Sequence, residues 1–192
     1  MDLEPPFRYA TLDDAPSAVD LANLTIEGFA EHLWADLADK GETPREFGLR
    51  VHQDFIVKNR LVVADIYGKI AALLIAYRME SNPRSFMPGM HPALQPVMDL
   101  HAMVPDSWYI QAVITVPEYR GTGLGSGMMR LAEKLAKASG CKTCSLQVLN
   151  TNNKAIRLYK NLGYEILCSK PIVKNGWKNP ATDWLLMTKE IN

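Results

Sequence analysis

A glycine-rich segment in the second half of the chain restricts the fold more than any other feature. It spans Arg120–Gly127, reads RGTGLGSG, and lies between a β-branched run and an amphipathic helical pattern. Glycine lets a backbone adopt positive φ and approach a ligand closely. The N-terminus of the following helix directs unpaired N–H groups and its positive dipole end at the segment, and Arg120 adds a forked donor for oxyanions. The segment therefore predicts a strand–loop–helix unit that binds phosphate.

The glycine spacing narrows the kind of phosphate ligand. The Walker pattern is absent, and the dinucleotide pattern G-x-G-x-x-G fails because Ser126 occupies the position of its third glycine. No acidic residue follows at the distance that a ribose contact needs. The pattern that fits is R-x-x-G-x-G, from Arg120 to Gly125. A tight turn without a ligand is the structural alternative.

Hydrophobic periodicity predicts an α/β chain with a mixed sheet and helices on its faces. Thr43-Pro44-Arg45-Glu46 is a helix start signal, and Leu61–Ile66 and Ile70–Tyr77 read as a hairpin around Tyr67-Gly68-Lys69. The 29 residues 79–107 hold five of the nine methionines and five of the twelve prolines, so they read as a long insertion with one short helix near Ala93–His101. The other predicted elements are strands at Phe7–Ala10, Trp108–Val116, Thr143–Leu149, Tyr164–Ser169 and Asp183–Lys189, and helices at 14–26, 29–39, Leu124–Ala138 and Asn152–Asn161.

Length and composition predict a single domain over residues 1–192, with no disulfide framework because the chain has three cysteines. No apolar run approaches the roughly 20 residues of a membrane span, and the N-terminus does not resemble a signal peptide, so we expect a cytoplasmic protein with no membrane partner. Zero net charge and the lack of a basic patch interleaved with aromatic residues argue against nucleic acid. Cys141 and Cys144 follow a helix end, which favours buried structural thiols over redox or metal chemistry.

Charge is distributed unevenly along the chain. Residues 1–54 contain twelve acidic and four basic residues, whereas residues 134–164 contain six basic residues and no acidic one. Solvated helix faces are one explanation. The other is that the C-terminal half faces a polyanion and the N-terminal half faces a cation.

Two motifs together resemble the GNAT N-acetyltransferase superfamily. The run Pro117–Gly125 looks like the acetyl-CoA pyrophosphate loop of that family, and Asn152–Tyr164 resembles its N-x-x-A-x-x-L-Y-x-x-x-G-F/Y helix. One predicted helix and one predicted strand separate the motifs, as the family requires. The motifs cover about residues 110–164, and the order of elements matches over the whole chain.

The resemblance implies a GNAT-like fold, with acetyl-CoA as co-substrate and no metal. It implies that backbone groups of the strand before the loop bind pantetheine and that the loop with Arg120 binds the pyrophosphate. Asn152 is implied to contact the cofactor, and an N-cap role for it is compatible. The implied cofactor-binding residues are Val113, Ile114, Thr115, Arg120, Gly121, Thr122, Gly123, Leu124, Gly125, Ser126, Asn152 and Ala155.

Tyr159 matches the family's tyrosine that protonates the departing thiolate. A phenol with a pKa of about 10 is a suitable donor to a thiolate, although a core tyrosine is the alternative. Many relatives carry a glutamate as general base where this chain has Gln111, and glutamine cannot accept a proton from an ammonium. We therefore expect either a water chain to another acid, with Glu31 as the candidate, or an amine that arrives neutral. Glu27, His32 and Asp106 are further candidates for that acid.

The resulting prediction is an enzyme that moves an acetyl group directly from acetyl-CoA to a small, cationic primary amine. The alternatives are an acetyltransferase for protein N-termini or lysines, and a non-catalytic acyl-CoA sensor. The presence of Tyr159 argues against a sensor. The oligomeric state is open, with a homodimer as one candidate.

Overall fold

The computed structural model describes residues 2–23, 28–85 and 89–191. Over these residues the strands are β1 Phe7–Tyr9, β2 Leu61–Ile66, β3 Lys69–Arg78, β4 Trp108–Thr115, β5 Thr143–Leu149, β6 Glu165–Pro171 and β7 Asp183–Glu190. The α-helices are α1 Ala15–Asn23, α2 Phe29–Leu37, α3 Pro44–Val57, α4 Gln95–His101, α5 Leu124–Ala138 and α6 Asn153–Asn161. Short 3-10 helices cover Leu12–Asp14, Pro92–Leu94 and Pro117–Tyr119.

The strands form an open mixed sheet in the order β1-β2-β3-β4-β5-β7-β6. The β4–β5 pair is parallel, and the β1–β2, β2–β3, β5–β7 and β6–β7 pairs are antiparallel. The predicted α/β class with a mixed sheet is therefore confirmed. The chain divides into two compact units, the first formed by Met1–Ala76 and Gln111–Ala132, the second by Tyr77–Ile110 and Glu133–Asn192. The prediction of one domain stays a prediction.

In the first unit, β1, β2 and β3 form an antiparallel ladder. The hairpin between β2 and β3 turns at Tyr67 and Gly68, whose φ values are 53° and 80°. Two consecutive positive φ angles are typical of the two-residue turn that matches strand twist. The amide of Gly68 donates to the Asp65 carboxylate at 2.7 Å and so fixes the turn. The predicted hairpin is confirmed.

The first unit also confirms the predicted helix start at Thr43. The Thr43 Oγ1 accepts from the Glu46 amide at 3.2 Å, and the Glu46 carboxylate accepts from the Thr43 amide at 2.7 Å. This reciprocal cap satisfies two amides that would otherwise lack partners at the helix end. The helix α3 then packs its Gly48 against Trp34, whose ring would lie 2.6 Å from an added Cβ.

In the second unit, β5 pairs with β4 on one side and with β7 on the other, and β6 follows β7 with a bulge between Ile166 and Cys168. Cys141 and Cys144 are buried free thiols, as predicted. Burial raises the pKa of the Cys144 thiol to about 12, so it is not a reactive thiolate.

The 79–107 insertion belongs to the second unit, and a hydrogen bond and an ion pair join its two ends. The Met79 amide donates to the Ser107 carbonyl at 2.8 Å, and Arg78 pairs with Asp106 at 2.8 Å. Ala93 and Leu100 are fully buried. The Gln147 side chain of β5 donates to the Val97 carbonyl of α4 at 3.0 Å. The described part of the insertion is thus a packed excursion, and the short helix predicted near Ala93–His101 is observed as α4.

Two predictions extend beyond the described residues. The helix predicted over 14–26 is observed as α1, and its last predicted residues, including Ile26, lie outside the described residues, as does the candidate base Glu27. Within the described ranges no helix is both long and apolar enough to cross a bilayer.

Candidate active site

The glycine segment adopts the conformation that a phosphate-binding loop requires. After the 3-10 turn at Pro117–Tyr119, Arg120 is extended, and Gly121 and Gly123 take φ values of 81° and 91°. An L side chain rarely adopts these angles, so glycine is strongly favoured at both positions. A Cβ placed on either glycine meets no atom of the described residues within 4 Å. The loop backbone is therefore open to a ligand at these two positions.

A different constraint explains Gly127. Its φ is ordinary, but an added Cβ would lie 3.1 Å from the Phe7 ring of β1. Gly127 is thus a packing residue of α5, whereas Gly121 and Gly123 are required by backbone conformation. The repeated glycines of RGTGLGSG therefore have two separate causes.

The start of α5 supplies donors beside the loop. The first helical hydrogen bond runs from the Gly127 amide to the Gly123 carbonyl at 2.9 Å. The amides of Leu124, Gly125 and Ser126 precede this bond, so they have no acceptor within the helix. No acidic residue lies in the first turn of α5 to compete for them. This helix end is suited to an anionic ligand.

Side-chain hydrogen bonds of Arg120 and Thr122 to backbone carbonyls stabilise the loop. The Arg120 Nε donates to the Thr115 carbonyl at 3.2 Å, and the Thr122 hydroxyl donates to the Tyr119 carbonyl at 2.7 Å. Arg120 is exposed, and its two terminal nitrogens make no hydrogen bond within the described residues. The guanidinium is thus anchored through one nitrogen and keeps its fork available for an oxyanion.

The strand before the loop carries the residues implied to bind pantetheine. Ile114 is buried, Val113 and Thr115 are half-buried, and the Val116 amide donates to the Ala71 carbonyl of β3 at 3.0 Å. This bond fixes the strand end from which the loop departs. Gln111 lies near the start of the same segment and is exposed.

In the second unit, Asn152 caps α6. Its Oδ1 accepts from the Ala155 amide at 3.2 Å, which is the N-cap role weighed from the sequence. Asn152 is exposed, so the cap leaves its amide group accessible to solvent. The exposed residues of α6 include the cations Lys154, Arg157 and Lys160.

Tyr159 lies on the half-buried face of α6. Its ring centroid is 6.2 Å from that of the buried Tyr164. Burial raises the pKa of Tyr159 to about 12. The phenol is therefore protonated at neutral pH, which is the state that a proton donor needs.

The sequence motifs did not identify a group of aromatic residues around Tyr109. Tyr109 of β4 is buried, and its ring contacts His101 at 4.4 Å and Tyr77 at 5.8 Å between centroids. Burial raises the pKa of Tyr109, and the nearby Tyr77 and Tyr159 phenols raise it further. We call Tyr77, His101, Tyr109 and Tyr159 the phenol cluster. Its members come from four elements, so no linear spacing could have revealed it.

The candidate bases differ in their surroundings in the structure. Asp106 accepts hydrogen bonds from Arg78 and Ser81, each at 2.8 Å, and these hold the pKa of its carboxyl below the ordinary value. These bonds make the Asp106 carboxylate a weaker proton acceptor, and its role as the candidate acid stays a prediction. Glu31 is exposed in the first turn of α2. His32 has an interaction partner in the structure, and its role stays a prediction.

Among the described residues, no cluster of three or more histidine, cysteine or acidic side chains could hold a metal ion.

Comparisons with known proteins agree with this geometry. A model of the Acetyltransferase (GNAT) family matches residues 26–164. Thialysine N-epsilon-acetyltransferase from Sus scrofa is 42% identical over 55 residues, or 29% of this chain and 32% of that protein. A putative ribosomal protein bS18-alanine N-acetyltransferase from Bacillus subtilis is 34% identical over 90 residues, or 47% of this chain and 58% of that protein. The chain thus spans about a third to three fifths of the length of these relatives.

A solved structure extends the comparison to nearly the whole chain. The ribosomal-protein-S18-alanine N-acetyltransferase from Escherichia coli superimposes with a TM-score of 0.59 at 17% identity, covering 97% of this chain and 93% of that one. At this identity the likeness concerns the fold alone.

Proposed function

This chain belongs to the GNAT acetyltransferase family, and we propose that it transfers an acetyl group from acetyl-CoA directly to a primary amine. The observation that carries the proposal is the open loop at Gly121 and Gly123, placed before the unpaired amides of α5 and beside the anchored Arg120. The matched family region contains both this loop and Tyr159.

The loop is proposed to hold the pyrophosphate of acetyl-CoA. Backbone amides of Gly121–Ser126 donate to its oxygens, and Arg120 adds a charge-assisted hydrogen bond. Val113, Ile114 and Thr115 offer backbone groups to pantetheine, while Asn152 and Ala155 at the start of α6 contact the cofactor. These assignments rest on the family resemblance of the motifs and on the local geometry of each segment.

Tyr159 is proposed to act when the thioester carbon–sulfur bond breaks. The amine nitrogen attacks the carbonyl, a backbone N–H of residues 113–115 stabilises the oxyanion, and collapse expels the thiolate. Tyr159 gives its phenolic proton to that sulfur, and the amine loses one proton to a base. The residue is protonated beforehand because burial raises its pKa to about 12.

Glu31 is proposed as the distant base, reached through a chain of waters, because Gln111 cannot accept a proton. Glu31 is exposed on α2, in the part of the chain with the acidic excess. The test is the pH profile of kcat/KM for Glu31→Gln. We expect the acid limb of the profile to move, and an unchanged profile would exclude Glu31. Asp36→Asn, another acid of α2, is the control.

The acceptor is proposed to be a small cationic amine. The first 54 residues carry eight more acidic than basic residues, and ion pairs with acidic residues occupy Arg8, Arg45 and Arg50. The remaining acidic charge favours a cation. The relatives divide between two substrate types in their names, thialysine and the alanine of a ribosomal protein. A protein N-terminus is therefore the second candidate.

The experiment is an acceptor panel assayed by mass spectrometry for acetyl transfer, preceded by a thermal-shift screen with acetyl-CoA present. Thialysine and lysine represent small cationic amines, and a peptide that begins with alanine represents a protein terminus. We expect the small amines to be acetylated. Acetylation of the peptide alone would support the second candidate. Saturable acetyl-CoA binding without transfer to any member would support the sensor.

A further inference from the structure

The edge strand of the second unit carries exposed apolar residues. β6 is the last strand in the order of the sheet, and among the described residues only β7 pairs with it. Ile166 and Leu167 of β6 are 44% and 53% exposed. The exposed Met103 lies beside the strand, with its sulfur 3.5 Å from the Cys168 Sγ. An edge strand of this kind is a template for pairing with a further strand.

The pairing of β7 determines which backbone groups of β6 face the open edge. The Asp183 carbonyl accepts a hydrogen bond of 3.0 Å from the amide that follows β5, so Asp183 is bonded toward β5. Bonding directions alternate along an antiparallel strand, and the β5–β7 register has no shift, so Leu185 and Met187 are also bonded toward β5. Their partners in β6, Ser169 and Ile166, therefore direct their N–H and C=O groups to the open edge.

The bulge in β6 restricts the register in which another strand can pair there. It lies between Ile166 and Cys168, so the edge-facing residues Ile166 and Ser169 are an odd number of positions apart. An antiparallel partner must place its own edge-facing residues opposite these two. A second β6 meets this condition when Ile166 of each copy lies opposite Ser169 of the other. This register has a two-fold axis between positions 167 and 168, as the interface of a symmetric dimer requires.

The charges of β6 agree with the same register. It places Glu165 of each copy opposite Lys170 of the other, at both ends of the paired segment. The two residues lie on one face of the sheet, because their β7 partners, Thr188 and Trp184, are an even number of positions apart. Opposite charges at directly opposed positions stabilise a strand pair. Within the chain Lys170 lies 3.6 Å from Asp99, and Glu165 has no ion pair among the described residues.

We propose that this chain forms a homodimer through β6, in which the β6 strands of two copies pair antiparallel about a two-fold axis between Leu167 and Cys168. The pairing satisfies the edge-facing backbone groups of Ile166 and Ser169 and brings the exposed aliphatic residues of both copies together at the axis. The partner is a second copy of this chain, because backbone direction and charge select the same self-complementary register. The alternative is that the bulge and the proline at the end of β6 keep this edge unpaired, and its outcome is a monomer.

A pair of charge reversals tests the register. Glu165→Lys and Lys170→Glu each place like charges at both ends of the paired segment, so we expect either change to raise the dimer dissociation constant by about tenfold or more in sedimentation velocity. An equimolar mixture of the two variants restores an opposite-charge pair at both ends. We therefore expect a heterodimer with nearly wild-type affinity, which native mass spectrometry detects when one variant is isotopically labelled. Lys69→Glu, the same reversal at an exposed strand residue of the first unit, is the control and should leave the dimer unchanged.

Ser169→Pro tests the backbone part of the inference. Proline removes an amide that faces the open edge and leaves the amides bonded to β7 in place, so β6 should tolerate it. We expect a folded protein, with the circular dichroism spectrum of wild type, that sediments as a monomer. A Ser169→Pro protein that remains dimeric would overturn the inference. If this variant fails to fold, the mixture of charge variants decides alone.

Three further results would overturn the inference. The first is a wild-type protein that sediments as a monomer over the whole concentration range. The second is a wild-type dimer that neither Glu165→Lys nor Lys170→Glu weakens, because that dimer would use another surface. The third is a mixture of the two variants that associates no better than each variant alone, because the losses would then not come from charges opposed across β6.

Discussion

The glycine loop and the phenol cluster are built in opposite ways. The loop is exposed, is made of backbone, and depends on two positive φ angles at Gly121 and Gly123. The cluster is made of side chains, of which Tyr109 is buried and the other three are half-buried, and it depends on ring contacts such as that of Tyr109 with His101. An open backbone suits the binding of a large anion, whereas buried hydroxyl groups suit proton transfer. The comparison suggests that changes in the loop alter affinity and changes in the cluster alter rate.

The largest effect is expected at Tyr159. Tyr159→Phe preserves the ring and removes the proton, so we expect kcat to fall by about 10²–10⁴-fold, the usual contribution of a general acid. Steady-state kinetics on the acceptor that the panel identifies provides the measurement. Wild-type turnover in this variant would show that Tyr159 has only a structural role. It would contradict the expectation that changes in the phenol cluster alter rate.

Arg120→Ala should reveal the opposite pattern. It removes a charge-assisted hydrogen bond worth roughly 1.5–3 kcal/mol, so we expect KM for acetyl-CoA to rise by about 10–100-fold while kcat changes little. Arg120→Lys keeps the charge without the fork and should recover part of the loss. A fall in kcat at constant KM would assign Arg120 to the chemical step instead.

Gly123→Ala sharpens the comparison, because Gly68→Ala is a matched control. Both glycines have positive φ, 91° and 80°, and neither would place a Cβ within 4 Å of another described atom. Alanine in this region costs about 1–2 kcal/mol of stability, so both variants should unfold more easily by a similar amount. Only Gly123→Ala should reduce the thermal stabilisation that acetyl-CoA confers. Equal stabilisation in the two variants would remove Gly123 from the site.

The smallest effect at neutral pH concerns His101. Its folded-state pKa of about 4 lies below the ordinary value of about 6.5, so the unfolded chain binds the proton first. The associated stability is complete above pH 6.5 and is lost as the pH falls toward 4. Between pH 7.5 and 4.5, wild type should lose about 2 kcal/mol more unfolding free energy than His101→Phe, as measured with urea. The comparison is made between the two proteins because the buried His52, whose pKa is also lowered, contributes equally to both. Parallel pH curves would place the imidazole in contact with water.

Local signals in the sequence predicted the parts of this molecule that depend on local conformation. The cap at Thr43, the turn at Tyr67-Gly68 and the glycine loop each require particular residues at neighbouring positions, so their spacing is visible in the chain. The short helix of the insertion, near Ala93–His101, was also predicted from the local sequence.

The phenol cluster and the state of Asp106 could not be predicted by this route. Tyr77, His101, Tyr109 and Tyr159 meet only after the strands and helices have packed, and each alone is an ordinary aromatic residue. The hydrogen bonds that Asp106 accepts from Arg78 and Ser81 could likewise not be predicted from its position in the chain. Burial and pairing are properties of the folded chain, and they determine which titratable groups can act in catalysis.

Calorimetric titration with acetyl-CoA tests the central claim most directly, that the glycine loop holds the cofactor and Tyr159 acts afterwards. Wild type, Gly68→Ala and Tyr159→Phe should bind with closely similar Kd, while Arg120→Ala and Gly123→Ala should bind at least about tenfold more weakly. Unchanged Kd in both loop variants, or a loss of binding in Tyr159→Phe equal to theirs, would contradict the account.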